Sequence, residues 1–87
     1  MADPDVKTDD QLWLELDAPD LWILRSGTGD VLTLSFTLRH ALRQAHGMLR
    51  FGVLPGSLGR VPGDNVIVPS NQIYRLWERA GLVRQAA

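Results

Sequence analysis

The chain of 87 residues is long enough for one hydrophobic core and too short for a second. Its apolar share of 45% and charged share of 22% are those of an ordinary globular domain, and the lack of cysteine excludes disulfide scaffolding, thiolate metal sites and thiol nucleophiles. The net charge of −1 hides an uneven division: residues 1–30 carry eight carboxylates against two cations, and residues 31–87 carry seven arginines against two carboxylates, leaving −6 and +5. Such a division suits either an anion-binding face or two parts of the chain that attract one another.

Residues 1–10, MADPDVKTDD, are polar and acidic, and are expected to be flexible. No apolar run follows them, so they do not read as a secretory signal, and no stretch approaches the roughly 18–20 apolar residues that span a bilayer. A cytoplasmic protein without a membrane partner is the expectation. Residues 11–87 then form a single domain.

From Gln11 the pattern has period two, with Leu12, Leu14 and Leu16 on one face and Trp13, Glu15 and Asp17 on the other, which predicts a half-buried strand. Asp17-Ala18-Pro19-Asp20 signals a turn. Leu21-Trp22-Ile23-Leu24 predicts a second, more central strand, and Val31-Leu32-Thr33-Leu34 a third, completing a three-stranded antiparallel meander. The period then changes. Ser35 or Thr37 is placed to cap a helix that reaches about Met48 on an apolar stripe of Leu38, Leu42, Ala45 and Leu49, and Gly47 is placed to end it. Residues 52–65 hold four glycines and two prolines, which predicts irregular chain with type II turns at Pro55-Gly56 and Pro62-Gly63. Val66-Ile67-Val68, stopped by Pro69, predicts a short edge strand.

The last helix has the fullest set of signals. Ser70 suits the N-cap, while Ile73, Leu76, Trp77 and Ala80 follow the spacing of a buried stripe. Gly81 suits the left-handed position after the helix, with Leu82 returning to Trp77 in a Schellman motif. The expected fold is α+β: a small antiparallel sheet, the meander plus a short fourth strand, with two helices on one face in the order β-β-β-α-β-α.

The stretch SNQIYRLWERAGLV resembles the recognition helix of bacterial helix-turn-helix repressors over about fourteen residues. That resemblance implies base-edge contacts from Asn71, Gln72 and Arg75. The family's pattern also requires a supporting helix three or four residues upstream, where this sequence is rich in glycine and proline, and only four residues follow Val83, too few for a C-terminal wing. Arg39, Arg43 and Arg60 extend the same expectation to a face that tracks phosphates or another anion. Opposing it are the acidic first third and the absence of lysine after Lys7.

Catalytic signals are lacking, and neither an enzyme nor a cofactor is expected. His40 and His46 stand roughly 240° apart around a helix and cannot share a metal from one face. Pro55 occupies the place where a nucleophile elbow needs glycine, and Gly27-Thr28-Gly29 opens no complete dinucleotide fingerprint. The remaining class is protein binding. Trp13, ringed by Glu15 and Asp17 and joined by Trp22 if both tryptophans are exposed, would form an aromatic anchor with an acidic rim. The functional expectation is therefore a small non-catalytic protein-interaction module, self-associating or bound to another protein, with a homodimer expected. The alternative is a nucleic-acid-binding regulator that uses the arginines.

Overall fold

The computed structural model describes residues 7–61 and 66–82. Among these the order is helix α1 (Asp9–Leu14), strands β1 (Leu21–Ser26) and β2 (Val31–Ser35), helix α2 (Leu38–Gly47), a 3₁₀ turn (Met48–Phe51), strands β3 (Pro55–Val61) and β4 (Val66–Pro69), and helix α3 (Ser70–Ala80). The four strands form one antiparallel sheet in the order β2-β1-β3-β4. The α+β class holds, but the expected order is corrected in two places: a helix stands where the first strand was expected, and a strand where irregular chain was expected.

The first expected strand is a helix. Thr8 and Gln11 form a reciprocal capping box: the Gln11 amide donates to Thr8 Oγ1 at 3.2 Å, and the Thr8 amide donates to Gln11 Oε1 at 2.9 Å. Asp9 and Asp10 in the first turn complement the helix dipole. With a helical period, Leu12 and Leu16 lie four apart on one side and are buried, whereas Leu14 is 86% exposed. Of the segment expected to be flexible, residues 8–10 instead hold the helix cap and its first turn; residues 1–6 lie outside the described residues.

The glycine- and proline-rich segment is also corrected. Residues 55–61 are not a turn but β3, an interior strand paired with β1 on one side and β4 on the other. Pro55 stands at its first position, where a missing N–H does least harm. The register shift against Arg25 and Ser26 leaves Gly56 as the extra residue of a bulge. A Cβ at Gly56 would collide with the backbone of Ser26 and Gly27, so the close approach of the two strands requires glycine here. The expected turn at Pro62-Gly63 lies outside the described residues.

The helices conform more closely. Thr37 Oγ1 accepts from the His40 amide at 3.1 Å, and α2 ends at Gly47 as expected. Leu38, Ala41, Leu42 and Ala45 are buried along it. In α3 the N-cap falls on Pro69 rather than Ser70, and Ala80 is exposed rather than part of the buried stripe. The Schellman motif is present: the Leu82 amide donates to the Trp77 carbonyl at 2.9 Å, the Gly81 amide to that of Glu78 at 3.1 Å, and Gly81 has φ 76°.

The core lies between the helices and one face of the sheet. Trp22 and Leu24 of β1, Leu58 of β3 and Val66 and Val68 of β4 point into it, where they meet Leu12, Leu38, Leu42, Ile73, Leu76 and Trp77. The Trp77 indole N–H donates to the Leu42 carbonyl at 2.9 Å, joining α3 to α2 inside the core. Its ring meets His46 and Tyr74 edge-on, with centroids 5.3 and 5.0 Å away.

Candidate interaction surface

The divided charge is largely drawn together within the chain. Arg75 grips Asp9 through Nε and Nη2 at 2.7 and 3.1 Å, and Arg39 grips Asp17 through the same two atoms at 2.6 and 3.0 Å. Arg79 reaches Asp10 at 2.6 Å and lies over the Trp13 ring, 4.6 Å from its centroid. Arg60 is buried on the core side of β3. Its guanidinium meets Glu15 at 3.0 Å and Asp20 at 3.3 Å, and stands 5.5 Å from the Trp22 ring centroid. Glu15 also accepts from Lys7 Nζ at 3.0 Å.

These contacts shift the carboxyl groups. The hydrogen bond from Arg75 holds Asp9 below its ordinary value, assisted by Gln72. Asp17 is lowered chiefly by its hydrogen bond with Arg39. Burial works to raise Glu15, yet Lys7 and Arg60 together outweigh it and the group is lowered.

The expected site residues are accordingly placed as follows. Trp22 is 1% exposed, so the condition for an exposed tryptophan pair is not met; Trp13 is half-buried under Arg79, and Glu15 and Asp17 face cations of the same chain. Lys7, Asn71, Gln72 and Arg75 line one cleft of about 480 Å³ together with Asp9. Within it Gln72 is buried and its Nε2 donates to the Lys7 carbonyl at 2.7 Å and to Asp9 Oδ1 at 2.8 Å, while Asn71 Oδ1 accepts from the Gln72 amide at 2.9 Å. Gln72 and Arg75 thus hold α1 in place. Arg43 is exposed on α2. His40 Nε2 is bonded to Gln44, and among the described residues no group of three or more histidines and carboxylates is set to hold a metal ion. No described helix is long and apolar enough to cross a membrane.

The feature that the sequence reading missed is the outward face of the sheet. Among the described residues the helices cover one side, as the alternating burial of β1 and β4 records. On the other side, register aligns Leu34 of β2, Ile23 of β1, Gly59 of β3 and Ile67 of β4 in one cross-strand row. Leu34 is 58% and Ile67 49% exposed. Val31 and Phe36, also exposed, extend the apolar surface at the β2 edge, and Phe36 shares with Leu34 and His40 a cleft of about 300 Å³. Among the described residues of this face, Arg25 supplies the charge, at one margin. An antiparallel sheet with one wet side normally carries polar residues there. The lack of polar alternation in Leu21-Trp22-Ile23-Leu24 was the available signal, since both faces of that strand are apolar.

Comparison of the chain with protein-family models, with curated proteins and with solved structures finds no match.

Proposed function

We propose that this protein is a small non-catalytic interaction module, a regulator, adaptor or subunit of a larger assembly, and that it docks through the open face of its sheet. The observation that carries the reading is the Leu34–Ile23–Gly59–Ile67 row, an apolar surface on strands fixed by the core behind them. Rigid elements present such a surface at little entropic cost, because its side chains are already ordered by the sheet. The arginine-based alternative has less support, since Arg39, Arg60 and Arg75 each face a carboxylate of the same chain. A cytoplasmic setting belongs to the same proposal, as a chain without cysteine gains nothing from an oxidising compartment.

Paired affinity baits test this. The parent and the doubly substituted Leu34→Asp/Ile67→Asp chain are incubated with native lysate containing untagged protein. The reading expects stoichiometric partners, a second copy included, to be retained by the parent and lost by the variant. Identical partners on both baits, or none on either, overturn it.

A further inference from the structure

Resting on the open face as the docking surface, we infer that its occupant is a second copy of this chain, packed sheet to sheet about a two-fold axis parallel to the strands. The row across the face reads large, large, none, large: Leu34, Ile23, Gly59, Ile67, in the strand order β2-β1-β3-β4. A half-turn about an axis between β1 and β3, in the plane between the sheets, sets β1 over the partner's β3 and β2 over the partner's β4. Ile23 of each copy then enters the gap left by Gly59 of the other, and Leu34 lies against Ile67. The centre of the row is its own complement, and its outer positions set two apolar side chains against each other. A two-fold perpendicular to the strands would instead stack Ile23 on Ile23 and leave a void where the two glycines meet.

Charge agrees with this arrangement. Arg25 and Ser57 share a register position, so the same half-turn brings Arg25 over Ser57 and never over its own copy. A net charge of −1 opposes association little. Four strands about 4.8 Å apart and about five residues long give a footprint of roughly 300 Å² per copy, small even among weak, reversible interfaces, so association is expected only at high protein concentration.

Gly59 separates this inference from a general role in folding. A Cβ there would meet only the Val66 carbonyl oxygen, at 3.9 Å, an ordinary contact that the monomer accommodates. Sedimentation equilibrium from micromolar to about 1 mM protein, set against the monomer mass of 9.7 kDa, is the measurement. The parent is expected to show a reversible monomer–dimer equilibrium. Gly59→Val, which fills the gap, is expected to raise the dissociation constant about tenfold or more while keeping the thermal midpoint of the diluted protein. Adding Ile23→Ala to Gly59→Val exchanges projection and gap and is expected to restore most of the lost affinity. Should Gly59→Val fail to fold, Leu34→Asp, at an exposed position, takes its place and is expected to abolish the dimer.

A single 9.7 kDa species throughout overturns the inference. If lysate partners nevertheless depend on Leu34 and Ile67, the open face stands as a docking surface for a different protein. A dimer that withstands Gly59→Val does not seat Ile23 against Gly59 and overturns the inference as well. A dimer indifferent to every substitution on the open face overturns both this inference and the proposed docking surface.

Discussion

On β1, Trp22 and Leu24 are closed beneath the helices while Ile23, between them, looks outward; on β4, Val66 and Val68 are buried and Ile67 is exposed. The two faces of this sheet share strands, backbone hydrogen bonds and an apolar composition, and differ in what covers them. On the covered face the side chains belong to one buried cluster with the helices, and the Arg60 guanidinium there is matched by Glu15 and Asp20. On the open face the same residue types remain in water, where they add little to the stability of the monomer. Apolar composition therefore marks a surface for burial without saying whether the chain itself or another molecule buries it.

Substitutions should separate the two faces. The largest effect is expected from Trp77→Ala, which opens a cavity under the covered face and removes the hydrogen bond to Leu42: a loss of about 3–5 kcal/mol in denaturant unfolding, a large share of the total for a domain of this size. Gly56→Ala ranks next. It forces the β1–β3 bulge apart at Ser26, and a loss of about 1–3 kcal/mol is expected by the same measurement. Acid acts on the ties of the covered side. Asp9, Glu15 and Asp17 have folded values below their unfolded ones, so their contribution is present above the ordinary carboxylate range and fades as pH falls through it. The thermal midpoint should hold at neutral pH and drop from about pH 5 to pH 3, and an Asp9→Asn/Asp17→Asn chain should show a shallower drop. The smallest effect is expected on the open face. Leu34→Ser should leave the thermal midpoint of dilute protein nearly unchanged, since that side chain is already mostly in water. A large loss there would mean that part of the chain covers the face.

The sequence made one kind of feature legible and obscured another. Helices α2 and α3 could be read because the Thr37 cap, most of the apolar spacing and the Gly81–Leu82 ending agreed with the final packing, although α3 begins from Pro69 rather than Ser70 and leaves Ala80 exposed. At α1 two signals conflicted: alternate leucines imitated a strand, while Thr8 and Gln11 encoded a capping box that was there to be found. β3 was hidden for a different reason. Its strand state comes from pairing on both sides with β1 and β4, and local propensity in a stretch with two glycines argues against it. The same gap hid the candidate surface. Gly59 acquires meaning only when register sets it between Ile23 and Ile67. The tryptophan anchor was lost with the strand that was to display it, because helical geometry turns Trp13 toward Arg79 and leaves Trp22 in the core.

The contact between α1 and α3 also bears on the order in which the chain folds. Asp9, Asp10 and the Lys7 carbonyl bind Arg75, Arg79 and Gln72, partners 63 to 69 residues away in sequence. A helix of six residues does not persist alone in water. During synthesis α1 emerges before α3, which supplies most of the side chains that bind it. Its docking belongs to the closing step of folding, and its amides should exchange with solvent in step with those of α3 rather than with those of the neighbouring β1.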